Sequence, residues 1–85
     1  MADTSPFVLV EHPRPHVAVV RMHRPDRLNA MSIELVSELH AALGVLAEEN
    51  DTWVVVLTGS GRAFSSGLDL KDHGIVPNID GLSVG

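Results

Sequence analysis

The 85 residues include no cysteine at all. That absence excludes disulfide bonds and thiolate zinc sites, which often stabilise small domains, and it gives no sign of an oxidising compartment. A chain this short buries only about 60% of the surface that its unfolded form exposes, so its own core is expected to be marginal. The sequence therefore predicts one small domain at most, which depends on partner chains or on further sequence for its stability.

Positive charge is also scarce. Six Lys and Arg residues stand against eleven Asp and Glu residues, giving a formal net charge of -5. This balance disfavours nucleic acid as a partner, because nucleic-acid binding needs a basic surface. No apolar run approaches the roughly 20 residues that cross a bilayer, and the first residues, M-A-D-T-S-P, begin acidic rather than as a signal peptide. We expect a cytoplasmic protein with no membrane partner.

The histidines do not form a metal-ligand pattern. His12 and His16 are the pair with helical spacing, but Pro13 and Pro15 exclude a helix between them. Across a hairpin the two rings could still be neighbours. We predict packing or surface roles for them and for the other histidines, His23, His40 and His73. No metal site and no cofactor are predicted.

The glycine-rich segment lacks the usual nucleotide fingerprints. After Gly59 and Gly61, the pattern G-x-G-x-x-G requires a third glycine where Phe64 stands, and the Gly-Lys-Ser/Thr of a P-loop is absent. Ala63 occupies the place of the first glycine in G-x-S-x-G, which argues against a serine nucleophile.

Strand-forming residues dominate the N-terminal third. Residues 7–11 (F-V-L-V-E) and 16–22 (H-V-A-V-V-R-M) are each predicted to form a strand. The prolines between them indicate a tight reversal at residues 13–15, so the two strands should form an antiparallel hairpin. A charged loop with Pro25 follows.

A helix and a buried strand are predicted next. Ser32 is a candidate N-cap, and residues 33 to about 49 form an amphipathic helix that Asn50 and Asp51 end. The apolar stripe of this helix consists of Leu35, Val36, Leu39, Leu43 and Leu46, with Glu38 off the stripe. Residues 53–57 (W-V-V-V-L) are apolar on both alternating faces, which predicts a central strand covered on both sides. Strand, helix and strand make a β-α-β crossover.

The segment T-G-S-G-R-A-F-S-S-G-L-D-L-K-D (residues 58–72) follows that buried strand. Ligands of such sheets bind beyond the carboxyl ends of the strands, and glycines let main-chain N–H groups approach a ligand closely. A simple turn after a strand is the alternative. Asp69 and Asp72 are expected to cap a helix that opens at about Leu68. Lys71 is either a solvated surface cation or a contact for an anionic ligand.

Residues 17–31 (V-A-V-V-R-M-H-R-P-D-R-L-N-A-M) and 53–71 (W-V-V-V-L-T-G-S-G-R-A-F-S-S-G-L-D-L-K) together resemble the enoyl-CoA hydratase/isomerase, or crotonase, superfamily. The likeness covers residues 7 to about 73. It implies the N-terminal portion of an α/β, crotonase-like ββα spiral fold: hairpin, helix, buried strand and oxyanion loop. The domain prediction is a lead-in at residues 1–6 and a partial crotonase-like domain at 7–85, truncated at its C-terminus.

The resemblance also implies site residues. The backbone N–H of Leu68 would give one half of an oxyanion hole for the thioester oxygen of an acyl-CoA. The carbonyl of Ser66 would meet the adenine amino group. The residues that would border coenzyme A and its thioester are Arg27, Leu28, Ala30, Gly67, Asp69, Leu70 and Lys71. The positive charges of Arg27 and Lys71 suit phosphate groups.

The activity that the resemblance implies is hydration or double-bond isomerisation of an enoyl-CoA, a step of fatty acid metabolism. Family members are considerably longer, and their catalytic carboxylates and second oxyanion glycine belong to later segments, so this chain alone is expected to be inactive. The side chain of Leu68 keeps isomerase chemistry open. A non-catalytic acyl-CoA-binding or assembly protein of the same superfamily is the alternative. A homotrimer or hexamer is the expected assembly.

Overall fold

A computed structural model describes residues 6–74, so most of the predicted lead-in and everything after Gly74 lie outside the described residues. The elements in chain order are β1 (Val8–Arg14), β2 (Val17–Met22), a 3-10 turn (Pro25–Arg27), α1 (Ile33–Ala47) and β3 (Val54–Gly59). They form a sheet of order β1-β2-β3. β1 pairs antiparallel with β2, and β2 pairs parallel with β3. The predicted hairpin and β-α-β unit are both confirmed.

The hairpin reverses slightly later than predicted. Arg14 pairs with Val17, so the loop consists of Pro15 and His16, and His16 adopts a positive φ of 70°. Pro13 lies inside β1 rather than in the turn. It is tolerated there because the register shifts between Glu11 and Arg14, which leaves Pro13 without a partner residue on β2 in the sheet of residues 6–74.

The helix begins where the sequence indicates. The hydroxyl of Ser32 accepts a hydrogen bond from Leu35 N–H at 3.1 Å, confirming the N-cap. The helix ends at Ala47, earlier than predicted, because the N–H groups of Glu48 and Glu49 bond to carbonyls only three residues back. These shorter bonds tighten the last turn and close the helix before Asn50.

The core lies between α1 and the hairpin. Ala18, Val20 and Leu46 form its buried cluster, with Val8 and Leu39 packed against it. Only part of the predicted apolar stripe faces this core, since the side chains of Val36 and Leu43 remain more than a third exposed.

Glu38, predicted to lie off the apolar stripe, contacts the start of β1. Its Oε1 atom accepts hydrogen bonds from Phe7 N–H at 2.8 Å and Val8 N–H at 3.1 Å. These two donors belong to the beginning of an edge strand, so the carboxylate satisfies backbone groups that the sheet ladder leaves unpaired.

The prediction of a central strand at residues 53–57 is wrong for the described part of the chain. β2 is the central strand and β3 lies at the edge, with Val54 to Leu57 between 41% and 52% exposed. The helix covers β1 and β2 rather than β3. Residues 6–74 therefore include no layer over β3, although its apolar residues on both faces are suited to one.

The parallel pairing of β2 and β3 positions the site. Met22, the last residue of β2, pairs with Gly59, the last residue of β3. The loops that follow these strands therefore leave from the same edge of the sheet. Within residues 6–74 the structure contains no helix with the length and apolar character that a membrane span requires.

Candidate functional site

Two loops meet at this edge: the β2 loop, residues 23–31, and the β3 loop, residues 60–69. Asn29 joins them. Its side chain is fully buried; Nδ2 donates to the carbonyls of Ser60 and Ala63, each at 2.9 Å, and Oδ1 accepts from Arg24 N–H at 2.8 Å. Leu28 and Asn29 both have positive φ, 52° and 56°. One buried amide therefore holds the two loops in register.

Gly59 allows the β3 loop to fold back over Asn29. A Cβ atom at this position would lie 2.6 Å from Asn29 Nδ2 and 2.7 Å from Ala63 O, and it would also collide with the carbonyl of Phe64. Distances this short are not compatible with a side chain, so glycine is required by the close approach of the two loops.

Further hydrogen bonds link the β3 loop to the β2 loop. Ser65 Oγ donates to Asn29 O at 2.8 Å, and Ser66 N–H donates to Leu28 O at 3.0 Å. Gly67 N–H donates to Ser65 Oγ at 3.0 Å, and Gly67 itself has a φ of 99°. The positive φ turns the chain at Gly67 so that the next residue runs beside Met31.

The backbone N–H of Leu68 points away from Met31, the residue beside it. Met31 and Leu68 form a parallel bridge, in which Met31 N–H donates to Gly67 O at 2.8 Å and Asp69 N–H donates to Met31 O at 3.0 Å. In an extended chain successive residues point their polar groups to opposite sides, so Leu68 N–H points away from Met31. Within residues 6–74 no group accepts a hydrogen bond from it, and Leu68 is 50% exposed.

One helical turn follows Leu68. Asp69 O accepts from His73 N–H at 3.0 Å, and Asp69 Oδ1 accepts from Asp72 N–H at 3.1 Å. Asp72 in turn caps α1, because its Oδ2 accepts from Ile33 N–H at 2.8 Å. Asp69 thus caps the turn that follows it, whereas Asp72 bonds to the N-terminus of α1 rather than to the helix predicted at Leu68. Residues 70–74 form a turn, so the helix predicted to open at about Leu68 is not formed within the described residues.

Asp69 also forms an ion pair with Arg24. The Asp69 Oδ2 and Arg24 Nη1 atoms are 2.9 Å apart, and the two side chains are only 17% and 16% exposed. The backbone N–H of Asp72 and the hydrogen bond from Arg24 lower the pKa of the Asp69 carboxyl below its ordinary value of 3.8, and the charges of Arg24 and Arg27 add to this effect. Asp69 is therefore ionised throughout the neutral range.

An open cavity of about 280 Å³ lies beside this ion pair. Three cationic side chains and two carboxylates line it: Arg24, Arg27, Lys71, Asp69 and Asp72. Asp69 is paired with Arg24, and Asp72 accepts from the N-terminus of α1. Arg27 and Lys71 are exposed and have no ion-pair partner among residues 6–74. The cavity consequently offers two available positive charges to an anionic ligand.

The structure brings the predicted site residues together on these two loops. Arg27, Leu28 and Ala30 lie on the β2 loop, while Ser66 to Lys71 lie on the β3 loop and the turn after it. The hydrogen bond from Ser66 N–H to Leu28 O joins the two groups. Ala30 O accepts from Arg24 Nη1 at 2.9 Å, and Leu70 is 37% exposed.

Sequence reasoning missed Asn29 and Arg24, the two side chains that hold this arrangement together. Both act through contacts with distant backbone or side-chain groups, which leave no periodic pattern. The available signal for Asn29 was a polar residue between apolar ones in a loop without glycine, since asparagine tolerates positive φ better than other residues do. Arg24 offered no comparable signal.

Three of the five histidines contact other groups of the described chain. His16 stacks on Trp53 with ring centroids 3.7 Å apart. His23 Nδ1 lies 2.9 Å from Ser60 Oγ, and His73 Nε2 lies 2.9 Å from Met31 O. Among residues 6–74 there is no group of three or more His, Asp or Glu residues arranged to hold a metal ion.

Comparison with known proteins identifies the family of this chain. A family model described as enoyl-CoA hydratase/isomerase matches residues 14–78. The chain is 46% identical over 81 residues to a Mycobacterium bovis protein named "Probable enoyl-CoA hydratase echA12", covering 95% of this chain and 28% of that protein. It is 39% identical over 56 residues to "Probable enoyl-CoA hydratase, mitochondrial" of Dictyostelium discoideum, covering 66% of this chain and 20% of that protein.

Solved structures show the same similarity. A monofunctional enoyl-CoA isomerase from M. smegmatis superposes with a TM-score of 0.72 at 46% identity, covering 74% of this chain and 30% of that one. An enoyl-CoA hydratase from Bacillus anthracis superposes with a TM-score of 0.76 at 34% identity, covering 92% and 30%. The chain thus spans less than a third of the length of these relatives, and its hairpin, helix and β3 form the N-terminal α/β portion of a crotonase-type fold. This chain belongs to the enoyl-CoA hydratase/isomerase family.

Proposed function

We propose that this chain supplies the coenzyme A-binding and enolate-stabilising part of an enoyl-CoA hydratase or isomerase. The observation that carries the proposal is the Leu68 amide. Hydrogen bonds with Met31 hold Gly67 and Asp69, the residues on either side of Leu68. No group among residues 6–74 accepts a hydrogen bond from the Leu68 N–H. A main-chain donor held in this way is suited to an oxygen atom that becomes negative during a reaction.

The chemistry follows from the thioester. When a proton leaves the carbon next to the thioester carbonyl, or when water adds to the conjugated double bond, negative charge collects on the carbonyl oxygen. A positioned N–H that meets this oxygen stabilises the transition state more than the ground state, and one such donor is typically worth about 2.7–4 kcal/mol. The family resemblance implies that the residues that move protons lie in later segments of the fold, and this chain covers 28% of the Mycobacterium bovis relative.

Coenzyme A would bind along the two loops. Arg27 and Lys71 line the cavity, and their positive charges suit its phosphate groups. The carbonyl of Ser66 would accept from the adenine amino group. The exposed side chain of Leu68 would border the acyl group. The remaining contacts to the thioester arm would come from Leu28, Ala30, Gly67, Asp69 and Leu70.

The test is turnover and binding by the full chain, by which we mean residues 1–85 together with the further sequence that supplies the proton-moving residues. Hydration consumes a 2-enoyl-CoA, whereas isomerisation converts a 3-enoyl-CoA into the conjugated 2-enoyl form, so ultraviolet absorbance separates the two reactions. Turnover of either substrate supports the proposal. Tight binding without turnover would instead support a non-catalytic acyl-CoA-binding protein, and neither binding nor turnover would contradict both.

Two variants test the proposed phosphate contacts by titration calorimetry with a saturated acyl-CoA. Arg27→Gln and Lys71→Gln should each weaken binding several-fold and reduce its salt dependence, because each removes one charge that faces the cavity. The matched control is Arg21→Gln, whose side chain pairs with Glu11 on the hairpin at 3.1 Å. Equal losses in all three variants would contradict the assigned contacts.

The family resemblance further supports a trimer or a pair of trimers, a cytoplasmic location and activity without a separate cofactor. Light scattering of the full chain tests the assembly. A monomeric mass for an active preparation would contradict it.

A further inference from the structure

We propose that Arg24 is a positioning residue, which holds the Leu68 amide in place through its ion pair with Asp69. This inference rests on the proposed function, because it assigns a role to Arg24 in the same oxyanion site. Arg24 need not touch the substrate: it acts on the residue that follows the proposed donor.

Arg24 is anchored on several sides. One nitrogen, Nη1, donates both to Ala30 O and to Asp69 Oδ2, each at 2.9 Å. The guanidinium carbon lies 5.6 Å from the centre of the Phe7 ring, within the range of a cation–π contact. The Arg24 N–H donates to Asn29 Oδ1. The β2 loop and the first residues of the hairpin therefore fix where the guanidinium can lie.

Asp69 connects the Arg24 guanidinium to the β3 loop. Its two carboxylate oxygens have different partners: Oδ2 accepts from Arg24, and Oδ1 accepts from Asp72 N–H at 3.1 Å. Its own N–H donates to Met31 O. Asp69, the residue immediately after Leu68, is thus held both by its main-chain hydrogen bond and by its carboxylate contacts.

Leu68 itself has little to anchor it. Its side chain is half exposed, and within residues 6–74 its N–H bonds to no protein group. The direction of that N–H is consequently set by the residues before and after it. Gly67 is held by Met31 N–H and Ser65 Oγ, and Asp69 is held by the Arg24 ion pair. Loss of the ion pair removes a contact that holds Asp69, one of the two residues that set the direction of the Leu68 N–H.

The test compares kcat and KM for four variants of the full chain. Arg24→Met keeps an unbranched apolar stem over Phe7 but removes the donors; kcat should fall by about 10- to 100-fold, the effect of displacing a catalytic group by roughly 1 Å, with KM changed by less than about three-fold. Arg24→Lys retains a charged nitrogen that can donate twice, so it should recover most of kcat. Asp69→Asn should lower kcat as Arg24→Met does. The double variant Arg24→Met/Asp69→Asn should have about the kcat of Arg24→Met, because both substitutions remove the same Arg24–Asp69 ion pair.

Two further variants serve as references. Arg21→Met, whose ion pair with Glu11 lies on the hairpin, should leave both constants unchanged. Arg27→Met, which removes an exposed cation at the cavity, should raise KM while leaving kcat nearly intact. A rise in KM alone for Arg24→Met would show that Arg24 binds the substrate directly, and that result would overturn the positioning role.

A purely structural role is distinguished by stability and rescue. If Arg24→Met lowers the melting temperature but kcat at a temperature far below unfolding is unchanged, the proposal is wrong. If Arg24→Met does not fold, Arg24→Lys and Asp69→Asn decide: equal kcat in Asp69→Asn and the unmodified chain overturns the proposal. Failure of the proposed function would look different, because the full chain without any substitution would then turn over no enoyl-CoA at all.

Discussion

Replacement of Leu68 by proline removes the amide hydrogen on which the proposed chemistry depends. The fold should tolerate the change, because no group among residues 6–74 accepts from this N–H. The bridge to Met31 uses the carbonyl of Gly67 and the N–H of Asp69, and both remain. The preceding residue is glycine, which meets less steric conflict with a following proline ring than other residues do. Proline at this position is therefore a nearly selective deletion of one donor.

The expected loss is large and specific. Removal of one oxyanion donor costs about 100- to 1,000-fold in kcat, equivalent to about 2.7–4 kcal/mol of transition-state stabilisation. Leu68→Ala is the matched control, since it also removes the half-exposed side chain but retains the N–H. Its kcat should stay within about ten-fold of the unmodified chain, because one exposed apolar contact is worth at most about 1 kcal/mol.

Both variants are assayed for enoyl-CoA turnover in the full chain, with circular dichroism and a thermal melt confirming that each is folded. If kcat of Leu68→Pro stays within a few-fold of that of Leu68→Ala, the Leu68 N–H contributes little to catalysis and is not an oxyanion donor. Equal losses in the two variants would assign the effect to the side chain instead.

The remaining predictions concern the residues that connect the β2 loop to the β3 loop and the ionisation of the Asp69 carboxyl. Asn29→Ala should lower the free energy of unfolding by at least about 3 kcal/mol, since three backbone groups lose buried partners at about 1–3 kcal/mol each; a loss below 1 kcal/mol in urea unfolding would contradict this. Gly59→Ala should destabilise by about 1–3 kcal/mol through overpacking, whereas Gly44→Ala, with open space around its Cβ, should stabilise the exposed helix by about 0.5–1 kcal/mol; the reverse order of melting temperatures would refute it. Because the folded-state pKa of Asp69 is lowered from 3.8, its stabilising contribution is complete above that value and is lost as pH falls through the folded pKa. Asp69→Asn should therefore reduce the acid sensitivity of unfolding below about pH 4, the ordinary range of this carboxyl, and an unchanged acid profile would contradict the assignment.

Local signals in the sequence predicted the hairpin and the helix well. The N-cap of Ser32 follows from a short-range rule that needs no tertiary contact. The parallel pairing of β2 and β3 follows from a helix between two strand-forming segments. The small errors at Pro13 and Ala47 are errors of boundary, since bulges and tightened last turns depend on the neighbouring strand and on individual carbonyls.

The burial of β3 could not be predicted in the same way. Apolar residues on both faces of a strand indicate that its side chains are suited to apolar contacts on both sides. They do not indicate which residues provide those contacts. In the described residues Val54 to Leu57 lie at an edge and remain 41% to 52% exposed. The chain spans 28% of its relative from Mycobacterium bovis, so the pattern in β3 is suited to a larger fold than residues 6–74 form.

The candidate site was predictable only in part. The glycines and the resemblance to a known family point to the β3 loop, because close main-chain approach has a compositional signature. The contacts of Asn29 and Arg24 span 31, 34 and 45 residues along the chain. Such links depend on how the sheet brings two loop ends together, and a single sequence carries no record of that pairing.

A crystal structure of the full chain with a saturated acyl-CoA would locate the thioester oxygen relative to the Leu68 amide. We predict a distance of about 2.7–3.1 Å between that oxygen and Leu68 N, as in other oxyanion sites. A thioester oxygen bound elsewhere, or a Leu68 N–H that donates to another protein group in the complex, would contradict it.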